Sequence, residues 1–198
     1  MKGLLSFKHG VHPPENKDIT AGSPSQRFPF PKEIVLPLSQ HIGTPSEALV
    51  APGDRVERGD VIAKAAGFIS SAVHATAAGT VKSIELWPHP SGNMVPSIRV
   101  DVDPNSSQMQ RPRIVPRWQE VADVDLSKEI AKAGIVGLGG AAFPSHVKLC
   151  PPKDQPVELL LVNGSECEPY LTSDHRVMLE QPEKAVSYTH LRAHETRR

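Results

Sequence analysis

Gly134, Gly137, Gly139 and Gly140 fall within seven residues, and Pro144 and Lys148 follow closely. Glycines let backbone N–H groups approach a ligand and adopt positive φ. A helix opening at Pro144 loses nothing from the missing proline N–H. Its unpaired N–H groups and positive dipole end suit an anion, and Lys148 one turn later adds a point charge. The chemistry this pattern suits is the binding of a phosphate-bearing cofactor. It is neither G-x-G-x-x-G nor a Walker A loop, since Gly-Lys-Ser/Thr is absent. A glycine-rich turn used only for close packing is the competing reading.

A second polar segment follows the apolar run Val157–Val162, at the strand end where α/β folds place their ligands. Asn163 offers an amide, Ser165 a hydroxyl, and Glu166 and Glu168 two carboxylates at alternate positions. Such groups can hydrogen-bond a flavin ring edge or a ribose; a plain polar turn at the strand end is the competing reading. Cys167 lies between the two glutamates, which tend to raise a thiol pKa, so it is not read as a nucleophile. Asp174, His175 and Arg176 read as polarity on a helix surface, with a phosphate or partner contact as the lesser alternative.

Several elements must position these groups. Asp125 or Ser127 can cap a helix running through Ile130 and Ala133, with Gly134 as its stop. A short helix is expected from about Pro144 to Leu149. The run 157–162 is apolar without alternation, as in a buried parallel strand. Helix followed by buried strand points to an α/β domain. Residues 104–118, rich in Pro and Ser, form the best boundary in the chain.

Before that boundary, residues 33–103 read as all-β, with short apolar runs broken by Gly turns. The phrase Gly53-Asp-x-Val56-x-x-Gly59-Asp-x-Ile62, followed by Ala78-Gly-x-Val81-x-x-Ile84, resembles the biotinyl/lipoyl-type barrel-sandwich hybrid. Those domains carry a cofactor on a hairpin-tip Lys. Here the tip is Ala66–Ser70, with no Lys, and Lys64 lies early. The reading is therefore a structural or docking barrel, not a carrier with a swinging arm. His74, alone in a strand, is read as structural. Residues 1–31 form an extended, Pro-rich arm: either a linker, or a strap packed through Phe7, Phe28 and Phe30.

The charges balance, 22 basic against 22 acidic residues in 198, which gives no support for nucleic-acid binding. Cys150 and Cys167 form no C-x-x-C pair, so neither a disulfide framework nor a closed zinc site is expected; isolated thiols fit a reducing compartment. No window approaches the roughly 20 apolar residues needed to span a bilayer.

Three segments together carry a family resemblance. Gly10–Lys17, Gly137–Leu149 and Val162–Thr172 closely resemble the C subunit of the Rnf-type (Rsx) ion-translocating electron-transport complex, in order, over residues 1 to about 185. The two pocket motifs are also similar to those of the flavin- and NADH-binding subunit of respiratory complex I. The resemblance implies that Gly137, Gly139, Gly140 and Lys148 serve the flavin phosphate. It likewise implies that Asn163, Ser165 and Glu166 contact the flavin, and that Phe143 and Glu168 line the nicotinamide side. Leu138 stands where complex I has Arg, and Ser165 where it has an acidic residue.

The implied architecture is an arm (1–31), a barrel-sandwich hybrid domain (32–104), and the start of an α/β FMN- and NADH-binding domain (117–185). The implied function is that of a peripheral subunit on the cytoplasmic face of a bacterial inner membrane. It would couple electron transfer between NADH or ferredoxin, through flavin and two 4Fe-4S clusters, to ion translocation, alongside the other subunits of the complex. This chain has no ferredoxin-like Cys run, so the cluster ligands are expected in sequence beyond it. A non-catalytic docking module that assembles the complex is the alternative. Residues 186–198 resemble a translated sequencing adaptor and are expected to be non-native, so His190, His194 and Glu195 are not read as a metal site.

Overall fold

The apolar alternation across residues 33–103 folds, among the described residues, as seven strands in two antiparallel sheets. They are β1 (Glu33–Pro37), β2 (Glu47–Ala48), β3 (Arg55–Val56), β4 (Val61–Lys64), β5 (Val73–His74), β6 (Gly79–Pro88) and β7 (Met94–Val102). The described residues also form the short helices α1 (Asp18–Ala21), α2 (Asp123–Lys132), α3 (Ser145–Lys148) and α4 (Ser173–Glu180). The computed structural model describes residues 11, 13–109, 123–138, 140–150 and 164–183. The expected strand 157–162, Phe7, Gly139, Asn163 and the stretch 186–198 lie outside them.

The larger sheet has the order β1-β7-β6-β3 and the smaller β2-β4-β5. Between them lies a core to which both contribute: Leu36, Val56, Val81, Ile98 and Val100 from one, Ile62, Ala63 and Val73 from the other. Side chains alternate across a strand. Ile98 and Val100 are therefore buried, while Arg99 between them points to the outer face. There Arg99 bridges Glu33 (2.7 Å) and Glu85 (2.6 Å) and lies 4.3 Å from the Trp87 ring centroid. Hydrogen bonds from Lys82 and then Arg99 hold the Glu33 carboxyl below its ordinary range.

The two Gly-Asp phrases build the same device twice. Gly53 and Gly59 both have φ +97. The Asp54 carboxylate accepts from Ala51 N at 2.8 Å, and the Asp60 carboxylate from Glu57 N at 2.8 Å. Gly53 N donates to Val81 O and Val81 N to Asp54 O; Gly59 N donates to Ala75 O and Ala75 N to Asp60 O. Each Asp side chain thus closes its own turn while the backbone beside it pairs with Val81 of β6 in the one case and with Ala75, just after β5, in the other. This internal pseudo-repeat is what the alternating G-D-x-V/I spacing encodes.

The connector after β7 begins stitched to the barrel. Gln108, with φ +54, accepts from Ala78 N (2.7 Å) and donates to Ala78 O and Asp103 O (both 3.2 Å). Its side-chain amide takes the place of a neighbouring strand at Ala78. Residues 110–118 of the expected boundary lie outside the described part.

Contacts divide the chain into two compact units, Phe28–Pro156 on the one hand and Met1–Arg27 with Val157–Arg198 on the other. The first contains the barrel, α2 and α3. The second brings together segments far apart in sequence, and each unit is described separately below.

Candidate functional site

In the larger unit, α2 is described from Asp123 onward, so Asp125 and Ser127, expected as caps, lie inside it instead. Ser127 Oγ donates to the His146 carbonyl at 3.5 Å and accepts from Cys150 Sγ at 3.2 Å, which ties α2 to α3. Gly134 ends the helical segment at φ +69, as expected of a stop signal. A Cβ there would meet the Ala72 carbonyl at 2.5 Å and the His74 ring at 3.1 Å, so this glycine also permits a close approach to β5. His74, Ala72, Gly134 and Val136, with His41 and Ser71, line a cavity of about 200 Å³. His41 is buried, with Nε2 accepting from Ser71 N at 3.1 Å and Nδ1 3.1 Å from the Ile42 carbonyl. The Ser71 N–H therefore calls for the neutral imidazole protonated at Nδ1.

The glycine loop is a closed hairpin-like turn. Val136 bridges Pro144, Gly137 N donates to Phe143 O (2.9 Å) and Ser145 N to Ile135 O (2.9 Å). Gly137 therefore works in closing the loop, with its N–H engaged by the Phe143 carbonyl. Gly140, at φ +114, has open space on the side where a Cβ would stand, with nothing within 4 Å, and Leu138 is 95% exposed. The loop crown is open, and Gly140 is where the backbone can be approached closely. Phe143 is half-buried at the base, and the Lys148 side chain is exposed.

The helix expected at 144–149 is the single turn α3, with Pro144 as its N-terminal flank at ψ 121. One turn aligns few peptide dipoles. The expected dipole contribution is correspondingly small.

In the other unit, the arm and the polar turn 164–172 interlock. The Lys17 ammonium donates to three carbonyls: Glu166 O at 2.6 Å, Leu171 O at 2.9 Å and Glu168 O at 3.2 Å. Thr20 Oγ1 donates to Tyr170 O (2.7 Å), and Tyr170 N, at φ +66, donates to Glu15 O (2.8 Å). Further along, Ser25 N donates to the Glu180 carboxylate (2.9 Å), and Arg176 bridges Glu180 and the Ala21 carbonyl. These bonds, led by that from Ser25 N, hold the Glu180 carboxyl down at about 2. The arm thus is a strap, fastened by polar groups. Phe28, expected as an anchor, is 82% exposed, whereas Phe30 stacks under the Arg58 guanidinium at 5.3 Å.

Glu166 caps α4. Its carboxylate accepts from Asp174 N (2.8 Å), Ser173 Oγ (3.1 Å) and His175 N (3.3 Å), satisfying donors that a helix N-terminus otherwise leaves open. Partial burial pushes its pKa up, but those bonds and the Lys17 charge together hold it below the ordinary value. Ser165, Cys167 and Glu168 have exposed side chains. Arg176, read from sequence as surface polarity, holds α4 to the arm instead. Lys17 carries no signal of its role in the sequence; its partners lie 149 to 154 residues away, beyond the reach of any local spacing.

Two family models match the chain in succession. Residues 5–105 match the RnfC barrel sandwich hybrid domain, and residues 130–196 the Nuo51 FMN-binding domain. Among curated relatives, the chain is 41% identical over 184 residues to the C subunit of the proton-translocating ferredoxin:NAD(+) oxidoreductase complex of Clostridium ljungdahlii, covering 93% of this chain and 40% of that protein. It is 42% identical to the C subunit of the Na(+)-translocating ferredoxin:NAD(+) oxidoreductase complex of Acetobacterium woodii, covering 91% of this chain and 41% of that protein. To the C subunit of the ion-translocating oxidoreductase complex of Haemophilus influenzae it is 38% identical, over 92% of this chain and 22% of that protein. The chain thus spans about 40% or less of the length of these relatives.

Proposed function

The chain belongs to the RnfC family, matching its N-terminal region, and from this we propose that it is the flavin-binding entry portion of a peripheral electron-transfer subunit. The observation that carries this reading is the order of the two matched domains on one chain, barrel first and FMN-binding domain second. We propose that residues of each unit, the two sets taken separately, suit a phosphate-bearing flavin. Gly140 offers open backbone at positive φ, Lys148 an exposed ammonium, and Ser165 and Glu168 exposed polar side chains. Asn163, Gly139 and Phe143 are proposed as further contacts, and NADH as the nucleotide that meets the flavin. Glu166 and Gly137 contribute through the shape of their turns.

Bound FMN supplies the redox chemistry, and the protein supplies placement and electrostatics. We place the 32–104 barrel and the 117–185 α/β region as successive domains of this subunit, with the two 4Fe-4S clusters held by sequence outside this chain. The electron partner is NADH or ferredoxin, the other partners are the remaining subunits of the complex, and the site of action is the cytoplasmic face of the membrane. Among the described residues no helix is long and apolar enough to cross a bilayer.

The test is made on the full-length gene product. It should purify with flavin absorbance that NADH bleaches, and Lys148→Ala should lower flavin occupancy. A flavin-free protein that still assembles the complex would instead favour the docking reading. That second reading draws on the barrel tip, where Phe68 is 77% and Ile42 53% exposed on neighbouring loops.

A further inference from the structure

The Lys17 ammonium has three N–H donors and three carbonyl acceptors, Glu166, Glu168 and Leu171, within 3.2 Å. Carbonyls of residues two and three apart converge on one point only if the backbone curls around it. Without a cation there, their oxygens repel one another. Two more bonds from the same arm segment, Thr20 to Tyr170 O and Tyr170 N to Glu15 O, hold the left-handed Tyr170 in place. The turn thus takes its shape from a side chain of the arm. The Glu166 carboxylate is engaged by α4, and the Glu168 side chain is exposed.

We propose that Lys17 is a positioning residue: as the central cation of a carbonyl cage, it fixes the 165–171 turn in the shape that presents Ser165 and Glu168 to the bound flavin nucleotide. This rests on the reading of the turn as part of the FMN site. It gives the arm, remote in sequence from either pocket motif, a direct part in cofactor binding. Arg cannot replace Lys here, because its planar fork spreads its donors and cannot bring three onto one point.

The test uses full-length apo-protein, with FMN affinity from fluorescence titration and amide exchange followed across residues 164–172. Lys17→Ala should weaken FMN by about tenfold or more and deprotect the turn, as loss of charged hydrogen bonds predicts. Lys17→Arg should resemble it. Ethylammonium added to Lys17→Ala should restore both protection and affinity, whereas tetramethylammonium, which has no N–H, should not. If Lys17→Ala fails to fold, Thr20→Val serves, with an expected weakening of about threefold for one neutral hydrogen bond. Wild-type FMN affinity in Lys17→Ala, or in Thr20→Val where that variant decides, overturns the positioning role while leaving the flavin reading intact. A wild-type protein that binds no FMN overturns the flavin reading itself, and this inference with it.

Discussion

The Lys17 ammonium lies 2.6 Å from the carbonyl oxygen of Glu166, 149 residues further along the chain. The same Glu166 turns its carboxylate the other way, onto the amides of Asp174 and His175 at the start of α4. One residue therefore couples the arm, the polar turn and a helix. The positive charge sits on its backbone oxygen, and the helix donors on its side chain.

Replacing Glu166 by Ala should expose the Ser173, Asp174 and His175 donors at once. The expected outcome is a lower melting temperature and reduced helical circular dichroism. Glu166→Gln, which keeps an acceptor oxygen but loses the charge, should fall between. Equal stability of the Ala variant and the wild type would show that water replaces the cap without loss.

Acid should loosen the arm. The Glu180 carboxyl is held at about 2 against an ordinary 4.5, so the folded state binds fewer protons than the unfolded state between those values. Its stabilisation is complete above about pH 4.5 and is lost as pH falls toward 2. Glu166 shifts in the same direction and adds to the effect. Limited proteolysis near residues 15–25 should accelerate on acidification across this window. Glu180→Gln should remove the Glu180 part of that dependence.

Gln108→Ala removes the side-chain amide that pairs with both N and O of Ala78. A buried N–H left without a partner costs about 1–3 kcal/mol. Chemical denaturation of the protein should show a loss of that size, with no change in flavin affinity measured on the folded protein.

Ile62 and Ile98 are fully buried, one in each sheet. Truncating either to Ala should cost about 2–5 kcal/mol, from lost burial and the cavity left behind. Val61, adjacent to Ile62 but 46% exposed, should tolerate Ala with a change of roughly 0.5 kcal/mol or less.

Much of this protein was legible in its residue order, because the relevant interactions are local or periodic. Alternating apolar runs located the strands of residues 33–103, and the Gly turns read between them include two whose Asp side chains bond three residues away. Gly134 was readable as a helix stop, since its positive φ is a property of one residue. The motifs that place the chain in its family are contiguous strings.

Other features needed the folded chain. The placing of Asp125 and Ser127, the expected caps, inside α2 is one. That Gly137 closes its loop on Phe143 follows from pairing across the turn, which glycine content alone does not specify. The arm was expected either as a linker or as a strap packed through phenylalanines; Phe28 is exposed and Phe30 lies against Arg58, while Lys17, Thr20 and Ser25 fasten residues 17–25. Those bonds join groups about 150 residues apart, and no spacing rule reaches so far. An ammonium on an arm can satisfy any three carbonyls, and only the tertiary structure brings these three within its reach.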